Sequence, residues 1–354
     1  MIECDVRPIT DRPAFLADWT ALFSRSAGAS FFQSPAWMNA WLGGAPGNAA
    51  LHRVEARRGG KLLLLGVFAA ARKRPPVLGL REVWFQEFGD PALDAVYGEY
   101  ADFLVAEGAP SGIRSEAVGK MIDVVTGNDA FVFRNLRPEM TGAAQAAAVE
   151  RNLQIRILHE QPVYVCDLSA GKFDACLSKS LQTKINRSVR LYEERGALKG
   201  RIIEPGDAFD AVWARMETLH KASWEARGLP SVFQNQHFIS FHQRLRDASP
   251  QCAHLFEVKA GDQTIAVLYN LIHGARVMNY QSGFLYETDN RLAPGFVAHA
   301  IAAQHYSSAR FNTYDLLAGD ADYKQRLGKQ ETTLTSLVLE RPTWRNRLRR
   351  LVRR

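Results

Sequence analysis

The stretch from Asp315 to Lys329 holds the side chains of this chain best suited to moving protons. Alternation along Tyr314-Asp315-Leu316-Leu317 predicts a strand with Asp315 on the face opposite its neighbours. A carboxylate amid apolar strand residues loses water, and its pKa rises toward that of a useful base. Gly319-Asp320 then turns the chain into a helix carrying Tyr323 and Lys324. Asp315 or Asp320 reads as base or amine-orienting group, Tyr323 as acid, and Lys324 as a hold for an anionic group or a carbonyl. The competing reading has Asp320 capping the helix and Tyr323 packing at its base.

A second stretch, Arg291-Leu-Ala293-Pro294-Gly295-Phe296-Val-Ala298, suits an anion. Pro294 fits the first turn of a helix, where a missing N–H costs nothing. Gly295 removes a side chain where the free N–H groups point outward, and Arg291 would add a charged clamp on a diphosphate. The plainer reading is an ordinary helix start with a surface arginine. Upstream, apolar residues at 177, 181, 185 and 189 recur every fourth position and predict a linking helix over 174–195. Lys179, Lys184, Arg187 and Arg190 decorate its other sides, either as a solvated surface or as an anion-facing strip between two halves. The nine histidines form no HExxH-like pair, there is no GxSxG elbow, and the four cysteines make no CxxC pair. Metal, zinc-ribbon and serine-nucleophile chemistry therefore have no local signature, and no metal is expected.

The elements that must position these groups occur twice. Phe32-Gln33-Ser34 followed by Trp37, Met38 and Trp41 matches Phe233-Gln234-Asn235 followed by Phe238, Ile239 and Phe241. Amphipathic helices precede each, over 11–26 and 207–227, and a hairpin follows each. His52, Glu55, Arg57 and Gly59 have the spacing of His254, Glu257, Lys259 and Gly261. Strand and helix then alternate. The first half ends in a strand at 163–167 and the second in a strand at 333–339. An internal duplication explains this order. The expected division is 1–168, 169–340 and a basic tail 341–354. Trp37, Trp41, Trp84, Phe85 and Phe88 would fill a core or stack on a sugar ring.

The chain has a formal charge of +7, but residues 341–354 carry seven arginines and no acid, so the body is neutral. A broad nucleic-acid face on the body is not expected. The tail, with Trp344, Leu348 and Leu351 among the arginines, would contact an anionic membrane surface or cyclic di-GMP, or serve as a disordered solubilising end. The start of the chain has no signal-peptide pattern, and the run 62–71 is far shorter than the ~20 residues of a membrane span. The expected location is the cytoplasm, peripheral to the inner membrane.

Taken in order, FQSPAWMNAW, SKSLQTKINRSVRLYEERG, HLFEVKAGDQTIAVLYNLIHG, a Tyr-Gln-Ser-Gly strand, a Pro-Gly helix start and YDLLAGDADYKQRLG resemble the CelD/BcsL-like GNAT acetyltransferases, relatives of the FemAB transferases. The resemblance covers nearly the whole chain. It implies an α/β protein of two tandem GNAT-like domains, each a mixed, mostly antiparallel sheet flanked by helices. It implies acetyl-CoA or another acyl-CoA as co-substrate, and an amine or hydroxyl acceptor on a small-molecule or lipid-linked sugar, in exopolysaccharide or cellulose synthesis. By the same resemblance Arg291, Ala293, Pro294, Gly295 and Phe296 would hold the donor and Tyr323 would protonate the CoA thiolate. Tyr280 and Gln281 would line the acceptor pocket, with Lys184 and Arg187 beside it. The family's donor loop is Arg/Gln-x-x-Gly-x-Gly/Ala; here its glycine is displaced to 295. Two further readings are a FemAB-type aminoacyl transferase and a non-catalytic GNAT-like regulator that binds cyclic di-GMP.

Overall fold

The computed structural model describes residues 2–72, 79–169, 173, 177–204 and 206–352. They form two compact units, Met1–Gln161 with Ser240–Arg244 and Thr333–Arg354, and Pro162–Ile239 with Leu245–Thr332.

The first unit begins with β1 (Glu3–Pro8), α1 (Arg12–Phe23), a 3-10 turn (Phe31–Gln33) and α2 (Pro35–Gly44). The hairpin β2 (Leu51–Arg58) and β3 (Lys61–Arg72) follows, then β4 (Arg81–Phe85), β5 (Leu104–Val105), α3 (Ile113–Val124), β6 (Ala130–Leu136) and α4 (Pro138–Glu150). β7 (Gln154–Asp167) and α5 (Lys179–Glu193) lead on. The second unit repeats the plan with β8 (Leu198–Ile203), α6 (Asp207–Glu225), a 3-10 turn (Val232–Gln234), α7 (Gln236–Ala248) and the hairpin β9 (Ala253–Ala260) and β10 (Gln263–His273). Then come β11 (Arg276–Phe284), α8 (Pro294–Ser308), β12 (Thr313–Ala318), α9 (Asp322–Leu327), β13 (Lys329–Glu340) and α10 (Trp344–Val352).

Local chemistry sets the helix starts. Ser34 accepts the N–H of Trp37 with Pro35 in the first turn, and Asn235 accepts the N–H of Phe238 at the matching place. Ser178 accepts the N–H of Leu181 and opens α5. Positions 174–176 of the linking helix lie outside the described residues. The matched glutamates are buried posts in both hairpins. Glu55 is held by Arg7, Arg53 and Arg57, and Glu257 by Arg201 and Arg215. A carboxylate that deep persists only when paired. The matched glutamines diverge. Gln33 is buried and donates to the carbonyls of Asp102 and Phe103, whereas Gln234 is exposed.

The first unit orders its strands β1-β2-β3-β4-β6-β13, with β5 beside β3. The second orders them β8-β9-β10-β11-β12-β7. Every neighbouring pair is antiparallel except β4–β6 and β11–β12. A parallel pair needs a long crossover. In the second unit α8 supplies it.

Two sequence expectations change here. The strand at 163–167 does not close the first sheet, because β7 pairs with β12, Cys166 opposite Tyr314. The strand at 333–339 closes that sheet instead, because β13 pairs with β6, Val338 opposite Val132. Thr333–Arg354 accordingly belongs with the first unit, not with a C-terminal domain and a separate tail. The tail is a helix through Val352; residues 353–354 lie outside the described residues.

Gly283 of the Tyr-Gln-Ser-Gly strand has a packing reason. A Cβ there would stand 2.6 Å from the carbonyl oxygen of Met216, so α6 lies directly on β11.

Candidate functional site

β11 and β12 run parallel for three residue pairs, Arg276–Thr313, Val277–Tyr314 and Met278–Asp315, and pair no further. Beyond them β11 continues to Phe284 and β12 to Ala318. The strands therefore part at their carboxyl ends, and α8, which joins them, starts beside the opening. Ligands of α/β sheets settle at such partings. β11 also carries a bulge: Tyr269 of β10 faces Gln281 and Asn270 faces Asn279, which leaves Tyr280 as the extra residue.

Helix α8 begins at Pro294 after Ala293, whose methyl cannot cap it. The first-turn N–H groups lack intrahelical acceptors. Two cations flank that turn. Lys184 Nζ of α5 lies 5.1 Å and the Arg326 guanidinium of α9 5.0 Å from the centre of the Phe296 ring. The α5 strip therefore faces the start of α8, and Ser188 Oγ, fully buried, accepts the N–H of Ala293 at 2.9 Å. The Ala293 amide is thus committed within the fold rather than offered to a donor. Gly295 leaves room for the Phe284 ring, 3.6 Å from where a Cβ would be. Arg291 is engaged by a neighbour. Its guanidinium chelates Asp289, at 2.7 Å for Nη2–Oδ2, and this holds the Asp289 carboxyl down at about 2. Arg187 adds to that field.

The predicted catalytic cluster divides. Asp315 is fully buried, and both of its oxygens are engaged, Oδ2 by Arg276 at 2.8 Å and Oδ1 by the N–H of Leu317 at 2.7 Å. Leu317 has a φ of +61° at the place where the β12–β7 register shifts. Asp315 thus holds an irregular strand end; it is not poised as a base. Lys324 Nζ donates to the carbonyls of Leu317 (3.1 Å) and Ala318 (2.6 Å), so its charge pins the same strand end rather than a substrate. Asp320 is exposed and accepts from Tyr164 Oη at 3.5 Å and from Gln325. It does not cap α9, whose N-cap is Ala321. Tyr323 stacks face-on against His299, 5.6 Å between centres at 10°.

His299 is the residue that sequence reasoning missed. It lies on α8, 1 % exposed, with Nδ1 2.9 Å from Tyr314 Oη and Nε2 buried without a hydrogen-bond partner. Burial and nearby Lys324 push its pKa down to about 3, so the ring is neutral. A single histidine on an apolar helix face gives no sequence signal. On the other side of β11, Tyr280 stacks on Phe238 at 6.3 Å. Gln281 hydrogen-bonds His220, which is 2 % exposed and pushed down to about 4 by burial. Tyr280 and Gln281 therefore share an aromatic, histidine-containing wall, while Lys184, Arg326 and Tyr323 gather on α8.

Both histidines give the fold a pH dependence. Unfolded imidazole takes a proton near 6.5, whereas these rings refuse it until about 3 and 4. Their contribution is complete above pH ~6.5 and is lost as pH falls toward those values, by about 1.4 kcal/mol per pH unit for each ring. Urea midpoints at pH 7 and pH 5 check this; a His299→Gln, His220→Gln variant should show a flatter slope.

The first unit has its own parting. β4 and β6 also pair over three residues. A pocket there is lined by Phe32, Trp37, Trp41, Gln86, Glu87 and Arg134. Arg134 lies 2.6 Å from Glu87, whose carboxyl burial pushes up to about 8. Trp37, Trp41, Trp84, Phe85 and Phe88 are all buried, with Trp41 stacked on Phe88 at 4.4 Å, so they form core.

The repeated order of strand, helix, helix, hairpin and parting parallel pair defines a tandem GNAT fold, with helices flanking a mixed sheet in each unit. Residues 179–325 match the family model described as acetyltransferase (GNAT) domain. A crystal structure of FemX shares the fold at a TM-score of 0.61, with 10% identity over 99% of this chain and 100% of that one. The C-terminal domain of a putative lysylphosphatidylglycerol synthetase from Agrobacterium fabrum gives 0.53, with 11% identity over 93% and 92%. A tandem GNAT protein from the clavulanic acid biosynthesis pathway gives 0.50, with 12% identity over 97% and 100%. Among curated proteins none matches this chain by sequence. Among the described residues, no helix is long and apolar enough to cross a membrane.

Proposed function

We propose that this protein is an acyl-CoA-dependent N-acyltransferase, with the transfer carried out in the second unit. The observation that carries this reading is the parting of β11 from β12 beside a helix start flanked by Lys184 and Arg326. The diphosphate of acyl-CoA lies at the first turn of α8, where unsatisfied N–H groups and the two cations meet it. Tyr280 and Gln281 orient the acceptor on the far side of β11. The amine nitrogen attacks the thioester carbonyl carbon directly; the C–N bond forms and the C–S bond breaks. Asp320 takes the ammonium proton and Tyr323 gives its phenol proton to the departing thiolate, so no acyl-enzyme is needed. Asp315 and Lys324 serve by holding the strand end from which Asp320 projects. The acceptor is a sugar amine or an exopolysaccharide precursor in the cytoplasm, a reading supported by the resemblance of the linking helix and the Asp315–Lys324 stretch to the CelD/BcsL-like enzymes.

Calorimetry with acetyl-CoA, CoA and cyclic di-GMP tests the reading. The full chain should bind both CoA species. Lys184→Glu with Arg326→Glu should weaken them at least tenfold, because each charged hydrogen bond contributes about 1.5–3 kcal/mol. A chain that binds cyclic di-GMP but neither CoA species would end the proposal in favour of a regulator.

A further inference from the structure

Helix α10 is docked inside out. An amphipathic helix on a globular domain turns its apolar stripe inward and its polar face to water. Here the inward residue is Asn346, fully buried. Its Nδ2 donates to the carbonyls of Asp129 at 2.7 Å and Arg341 at 2.9 Å. Thr343 Oγ1 donates to Asp129 Oδ1 at 3.0 Å, and Arg345 lies 3.7 Å from Asp129 Oδ2. The outward residues are Trp344 and Leu348, 60% and 40% exposed. At about 100° per residue they share one face and Asn346 sits on the reverse. Arg347, exposed, lies on one side of the stripe, and Arg345, 5.1 Å over the Trp344 ring, lies on the other. The fold thus commits its polar contacts to hold this helix and leaves a tryptophan and a leucine facing out among cations.

We propose that α10 docks the protein on a bilayer surface rich in anionic lipid. The Trp344–Leu348 stripe enters the interfacial zone, where tryptophan is favoured, and the flanking guanidinium groups meet lipid phosphates. Charge complementarity selects this occupant. A second copy of the chain would bring a second set of arginines to the same face, and a neutral apolar partner would leave them unpaired. The inference is independent of acyl transfer; it concerns where the protein works, not what it transfers.

Flotation of the full chain with vesicles tests it, using phosphatidylcholine alone and a 3:1 mixture with phosphatidylglycerol. The protein should float with the mixed vesicles in low salt, not with phosphatidylcholine, and should be released in 0.5 M NaCl. Trp344→Ala with Leu348→Ala should cut binding at least tenfold. Arg347→Glu should cut it about fivefold or more, since each cation near such a surface counts for roughly that factor. All three side chains are exposed, and an unchanged Tm confirms that the variants fold. A parent chain that ignores mixed vesicles overturns the proposal, as does an apolar variant that floats as well as the parent. Sedimentation velocity showing a dimer that Trp344→Ala with Leu348→Ala dissolves, without vesicle binding, overturns it in favour of self-association.

Discussion

Replacing Tyr323 with phenylalanine should lower turnover about a hundredfold and leave CoA binding unchanged, the low end of what one positioned proton donor contributes. The substitution isolates the hydroxyl. The ring stacked on His299 at 5.6 Å stays, and so does its packing against the core. The donor's phosphates are held elsewhere, by the first turn of α8 with Lys184 and Arg326, so calorimetric affinity should not move. A loss in kcat with constant Kd is the signature of an interaction made only as the thiolate departs. Equal turnover in the two proteins would take Tyr323 out of the mechanism.

Arg276→Ala should destabilise the protein by about 3 kcal/mol, because it leaves a buried carboxylate without its guanidinium. Asp315 is fully buried, while Arg276 is shared between Asp315 and the more exposed Glu331. The same geometry separates two roles for Asp315. If it were the base, Asp315→Asn would stop turnover and leave urea midpoints alone. With both oxygens engaged by Arg276 and the Leu317 amide, Asp315→Asn should lower the midpoint instead, and the folded variant should keep measurable activity. Coupling between Arg276→Ala and Asp315→Asn in a double-mutant cycle would place the two in one interaction.

The placement of the candidate residues is partly legible in the sequence. Period-four apolar spacing located α5, and charge on its other sides pointed to Lys184, which stands over Phe296. The Pro-Gly pair located the start of α8, because proline's missing N–H is a local rule. Spacing makes Arg291 a free clamp, but it cannot see that Asp289, two residues back, already chelates the guanidinium. The partners of Lys324 were hidden for a related reason: they are backbone carbonyls, which every residue carries and no pattern marks. His299 and Arg326 carry no local signal, because their neighbours come from other elements.

Helix starts, hairpin turns and the duplicated order of elements were determined by the sequence itself. Caps, prolines, turn residues and apolar periods act within a few residues of one another, so their physics is written where it operates. The exchange of closing strands, with β7 beside β12 and β13 beside β6, was decided only in the tertiary structure. The pairing stretches of both strands, Val163–Cys166 and Leu337–Leu339, are apolar strand formers, and backbone hydrogen bonds look alike from either sheet edge. The buried company of Asp315 and the inward turn of Asn346 were decided the same way, since burial and pairing belong to residues brought together from far apart in the chain.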